Sequence, residues 1–115
     1  MKIIRVILSQ TAASHYDLLE KAQDKINSSI FNSVKNKIVM LKSDFHYGNP
    51  IAKNLIPAEY AVKYGTANLF RIELANYWRM LYTITNSDNP NEVIVFILDI
   101  INHDEYNEKF GYSKK

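Results

Sequence analysis

Nine consecutive residues near the C-terminal end, Val93 to Ile101 (VIVFILDII), hold a single polar side chain, Asp99. The run is short and β-branched and shows no alternation of apolar and polar positions. That pattern suits a strand buried on both faces in the middle of a sheet. The stretches before it read as its antiparallel neighbours. In Leu69 to Ala75, Phe70, Ile72 and Leu74 share one face while Arg71 and Glu73 share the other. Arg79 to Thr85 pairs with it across the turn Asn76-Tyr77-Trp78, and the polar, proline-containing Asn86 to Asn91 is a second hairpin turn.

The first half is a strand followed by helices. Lys2 to Ser9 is short, apolar and β-branched. Ser9 or Thr11 then caps a helix whose apolar positions Ala12, Tyr16, Leu19, Ala22 and Ile26 recur at threes and fours. Asn27, Ser28 and Ser29 break that stripe and supply a new cap. A second helix carries Ile30, Val34, Ile38 and Leu41 on one face. The pair forms a helical hairpin of the kind that covers one side of a sheet. Phe45 to Pro50 reads as a loop. Pro57 to Tyr64, closed by Gly65, suits one or two helical turns.

The element order is therefore strand, two helices, short helix, three strands, helix. It predicts one α+β domain over residues 1–115, in two layers: an N-terminal strand and helical hairpin packed on an antiparallel sheet, with a short C-terminal helix. No internal repeat, low-complexity tract or linker interrupts it.

Composition narrows the function. A chain of 115 residues buries roughly two-thirds of the surface its unfolded form exposes. With 47% hydrophobic and 23% charged residues it reads as a soluble globular protein. The absence of cysteine excludes disulfides, thiolate zinc sites and thiol nucleophiles. Lys2 to Gln10 is too short, and too soon followed by charge, for a signal peptide or membrane span, so a cytoplasmic location is expected. The net charge is +2; residues 1–65 hold nine Lys/Arg against five Asp/Glu, and residues 66–115 five against seven. A protein that grips a polyanion mainly by charge would be more basic, so any nucleic acid here meets a few placed cations.

The placed cations are suggestive. Arg71 and Arg79 lie on adjoining strands, and His103 and Tyr106 follow where the apolar strand ends. Cutting RNA without metal requires a base for the 2′-hydroxyl proton, an acid for the leaving 5′-oxygen, and cations for the charge on the phosphorane. Arginine suits the last role, because its fork meets two phosphate oxygens at once. Histidine, titrating near about 6.5, can donate or accept a proton near neutrality. Plainer roles remain for each: an arginine on an exposed sheet face, a solvated histidine at a helix start, a packed tyrosine among the chain's eight. Glu73 is either a general base or one half of a salt bridge to Arg71 or Arg79. His15 reads as a surface helix residue and His46 as a loop residue. Trp78 either stacks a base or plugs the core. With three glycines there is no phosphate-binding loop. His103-Asp104-Glu105 looks like a metal cluster, but adjacent residues point apart, so neither metal nor cofactor is expected.

Three stretches in this order, after a helical hairpin, carry a resemblance: NLFRIELANYWRMLY (Asn68 to Tyr82), VIVFILDIINHDEY (Val93 to Tyr106) and the closing Phe110-Gly111-Tyr112. Over the whole chain they resemble the RelE/ParE superfamily of type II toxins. The RelE branch implies an endoribonuclease that cuts messenger RNA in the ribosomal decoding site and is held inactive by an antitoxin. The resemblance assigns phosphate stabilisation to Arg79 and Arg71, proton donation to His103 and positioning to Tyr106. Relatives often carry lysine at Glu73. The ParE branch implies the same fold without cleavage, as a gyrase inhibitor, and a degenerate toxin would only bind its antitoxin. An antitoxin segment is expected on the first strand, Ile3 to Leu8, or on the face bearing Ile30, Val34 and Ile38.

Overall fold

The run from Val93 occupies the position its composition demands. In the computed structural model, which describes residues 2–111, it belongs to β5 (Glu92–Ile101). The other elements are β1 (Ile3–Leu8), α1 (Gln10–Lys21), α2 (Lys25–Ser43), β2 (Asn49–Pro50), α3 (Ala58–Tyr64), β3 (Phe70–Glu73), β4 (Arg79–Asn86) and α4 (His103–Lys109). Among the described residues the sheet runs β1-β5-β4-β3-β2. The β3-β4-β5 meander is antiparallel, as the sequence predicts. Two features were not legible. β1 joins β5 in parallel, making the sheet mixed, and the expected loop at Phe45 to Pro50 contributes the two-residue β2 along the edge of β3. The Tyr112 part of the closing motif lies outside the described residues.

The helical hairpin covers one face. Ala12, Leu19, Ile30, Val34 and Leu41 are buried against Ile72, Met80, Tyr82, Val95 and Ile97 of the sheet. Ser9 caps α1, its hydroxyl accepting from the Ala12 amide at 3.0 Å and donating to the Leu98 carbonyl at 2.7 Å. One boundary differs from expectation. The second helix is capped by Asp24, whose carboxylate accepts from the Asn27 amide at 3.0 Å, and not by Asn27 to Ser29. Ile26 therefore opens α2 instead of closing α1, and is 61% exposed. Ile30 and Val34 are fully buried against the sheet and Ile38 is half-buried, so that face is largely covered by the protein's own core. Among the described residues no strand pairs with the outer edge of β1.

The far face carries a second, smaller core: Tyr60 of α3 and Tyr106 of α4 pack on Leu69, Leu81, Leu98 and Ile101. Both faces of β5 are thus covered over residues 97–101, where every side chain is buried, while burial alternates over residues 92–96. A β-bulge sits here. Leu81 pairs with Asp99 but Tyr82 with Ile97, leaving Leu98 out of the ladder. The bulge keeps Asp99 on the far face, where the Tyr60 hydroxyl donates to it at 2.6 Å. Burial holds the Asp99 carboxyl above its ordinary value, against the opposing effects of the Tyr60 bond and the Lys109 charge. The Tyr60 hydroxyl is itself pushed far up by burial and by Asp99, so it stays a donor.

A raised carboxyl pKa means that the folded protein holds the Asp99 proton more tightly than the unfolded chain does. The resulting stability is complete below the unfolded value and is lost as pH rises through the folded one. Asp99→Asn removes this loss while keeping an oxygen for Tyr60. The thermal midpoint of the variant, relative to wild type, should therefore be higher at pH 7.5 than at pH 4. An equal or reversed difference at the two pH values would contradict this account.

Candidate functional site

Strand alternation places the candidate side chains. Glu73 pairs with Arg79 across the hairpin and Arg71 with Leu81, so Arg71, Glu73 and Arg79 project from the far face. Their neighbours Ile72 and Met80 point into the core beneath the hairpin. α4 starts directly after β5 because Asn102 caps it, accepting from the Glu105 amide at 2.8 Å. That places His103 in its first turn and Tyr106 one turn on, against the same face.

Tyr106 is the centre of the arrangement. It is 4% exposed and stacks on Phe110 with centroids 4.4 Å apart. The Arg79 and Arg71 guanidinium carbons lie 5.3 and 5.9 Å from its ring centroid. Arg71 Nη1 also donates to the Tyr106 hydroxyl at 3.0 Å. A ring this buried leaves no face for a base. Both guanidiniums thus lie within cation–π reach of one ring.

The hairpin turn fixes Arg79 from the other side. Asn76 and Tyr77 both take left-handed backbone, with φ of 57° and 63°. Non-glycine residues adopt that conformation at a cost of about 1–3 kcal/mol each, and such strain collects at functional sites. Here the turn aims the Tyr77 and Trp78 carbonyls at Arg79 Nη1, at 2.8 and 3.3 Å. Arg79 Nε is buried without a hydrogen-bond partner among the described residues. Trp78 turns into the core beside the hairpin, so of its two expected roles it takes the structural one. The aromatic displayed to solvent is Tyr77, 74% exposed, with its ring 6.1 Å from that of His103. Only the unusual backbone distinguishes Tyr77, and its sequence carries no signal of that.

His103 is open to solvent, its side chain 52% exposed and its Nε2 3.4 Å from the Asp104 carboxylate. Glu73 is exposed, and among the described residues no ion pair joins it to Arg71 or Arg79. The salt bridge is therefore not what occupies this carboxylate. His46 is an exposed loop residue as expected, whereas His15 is partly buried, its Nδ1 2.7 Å from the Ile100 carbonyl. Among the described residues no three His, Asp or Glu side chains gather as a metal site would need. No helix among them is long and apolar enough to cross a membrane.

A cleft of about 370 Å³ opens beside this cluster, lined by Lys37, Tyr47, Gly48, Asn49, Arg71, Ile72 and Glu73. Lys37 and Tyr47 lie far from the arginines in sequence, on a helix and a loop with no motif of their own, and sequence reasoning missed them.

A strand, a helical hairpin laid across a sheet meander, and a short C-terminal helix over an arginine-bearing face make up an α+β fold. A solved structure with which the chain shares this fold is a YoeB/ParE toxin from Agrobacterium tumefaciens. The two superpose with a TM-score of 0.60 over 86% of this chain and 98% of that one, at 9% identity. At that identity the likeness is one of fold. No protein-family model and no curated protein matches the sequence.

Proposed function

We propose that this chain is the toxin of a type II toxin–antitoxin system and acts as a metal-independent endoribonuclease on ribosome-bound messenger RNA. The observation that carries the reading is the pairing of the Arg71 and Arg79 guanidiniums over one buried ring, on the face that also bears Glu73. Two guanidiniums positioned by one ring offer cationic groups set in place before the substrate arrives. In the proposed reaction Glu73 accepts the 2′-hydroxyl proton, and the 2′-oxygen forms a bond to phosphorus. The bond from phosphorus to the 5′-oxygen breaks, and the His103 imidazolium supplies that oxygen's proton. The products are a cyclic phosphate and a free 5′-hydroxyl. Arg71 and Arg79 stabilise the phosphorane; Tyr106 is a positioning residue.

A face with two arginines and one carboxylate supplies little net attraction for RNA. The ribosome then has to present the messenger in line for attack. Incubated with programmed ribosomes and a chelator, the protein is expected to cut within the decoding-site codon and leave a cyclic phosphate. Free RNA should be cut far more slowly. The alternative is a ParE-like binder of gyrase, favoured by the acidic balance of residues 66–115, seven Asp/Glu against five Lys/Arg. Intact messenger together with inhibited gyrase supercoiling would transfer the assignment to it. The proposed partner is a cognate antitoxin, for which the outer edge of β1, with Ile3 and Ile7 exposed, offers strand addition. The cytoplasm is the compartment in which ribosome, messenger and antitoxin would meet it.

A further inference from the structure

The cleft beside β3 is lined by a mixed set of groups that the proposed reaction does not use in full. Lys37 reaches it from α2, and Tyr47 and Asn49 from the connection to β3. That connection is pinned in place. The Gly48 amide donates to the Tyr82 hydroxyl at 2.9 Å, and that hydroxyl donates to the Phe45 carbonyl at 2.9 Å. A Cβ on Gly48 would fall 2.8 Å from a Tyr82 ring carbon, so only glycine allows the loop this close to the core. Asn49 pairs with Arg71 in the sheet, which closes the loop from its other end. Tyr47 is thereby displayed at the surface by a fixed support, 41% exposed. Lys37 Nζ donates to its hydroxyl at 3.2 Å and stands 5.3 Å from its ring centroid.

We infer that this cleft binds one nucleotide of single-stranded RNA, with Tyr47 stacking on the base and Lys37 meeting a phosphate. The inference rests on the nuclease reading for the identity of the ligand. Its volume lies at the small end of pockets for small molecules, about 300–1,000 Å³, which suits one nucleotide and not a helix or strand of protein. A ring for stacking, an amide for a base edge and a flexible cation for phosphate are the groups by which single strands are held. A site for a bare anion would not include Glu73. Arg71 and Glu73 belong to the cleft and to the proposed reaction centre alike, so a nucleotide held here adjoins the bond that is cut.

The test is an NMR titration of the full chain with a trinucleotide 2′-O-methylated against cleavage, and with inorganic phosphate in parallel. Amide shifts at Gly48 and Asn49 are expected with the trinucleotide. Tyr47→Ala should weaken binding about 5- to 150-fold, the effect of losing one stacked base. Tyr47→Phe should bind like wild type, and Lys37→Gln should reduce the salt dependence by about one phosphate contact. Wild-type affinity in Tyr47→Ala, or phosphate binding as tightly as the trinucleotide, would overturn the assignment. Ribosomal cleavage assays separate it from the parent reading. If wild type cuts messenger and Tyr47→Ala leaves KM unchanged, the subsite is wrong and the nuclease stands. Tyr47-dependent binding without any cleavage would leave the subsite standing and remove the nuclease.

Discussion

Arg79→Ala should abolish growth arrest when the chain is expressed alone in a bacterial host, and should lower ribosome-dependent cleavage about a hundredfold or more. That is the usual effect of removing one preorganised group that stabilises charge in a transition state. The side chain is half-buried and lies over Tyr106, so truncation also removes packing. Arg79→Lys is the cleaner comparison. It keeps the charge and the stem but loses the fork that two phosphate oxygens require, and should fold normally while remaining strongly impaired. Circular dichroism and a thermal melt establish folding in both variants. Full toxicity from a folded Arg79→Ala protein would remove Arg79 from the site.

His103→Ala should lower kcat for cleavage by roughly a hundred- to ten-thousandfold while leaving ribosome binding unchanged. The side chain is half in solvent and meets the Tyr77 ring edge-on, so the variant has little stability to lose. A further signature separates proton transfer from structure. Wild type and His103→Ala should differ in the pH dependence of cleavage, because only wild type carries this proton donor. A variant within twofold of wild type, with the same pH profile, would show that another group protonates the leaving oxygen.

Much of this architecture was legible because it depends on near neighbours in the chain. Ser9 starts a helix through a bond to the amide three residues on. Ile30, Val34 and Leu41 share one face of α2 because the helical repeat puts them there. Arg71, Glu73 and Arg79 share a face because strands alternate and the hairpin sets their register. Even burial on both sides of β5 over residues 97–101 was announced by a run with no polar alternation. The same local logic misplaced the start of α2. Asn27, Ser28 and Ser29 are all acceptable caps, and nothing in their spacing shows that Asp24 reaches the amide first.

What only the tertiary structure decided lies between residues distant in sequence. Periodicity names the face of a strand but not the neighbour along its edge, so the parallel union of β1 with β5 was not readable. The bulge at Leu98 shifts one residue out of register and so puts Asp99 beside Tyr60, an effect of pairing and not of composition. Tyr106 was visible as a tyrosine near the site. Its place under two guanidiniums follows from where α4 lands after β5, as the cleft of Lys37 and Tyr47 follows from where α2 passes the edge of β3. The sequence by itself determined which residue types stood on which faces, since that follows from backbone geometry repeating every two or 3.6 residues. The packing of those faces against one another determined which side chains meet. That is a property of three-dimensional neighbours, for which a single chain of letters carries no repeating signal.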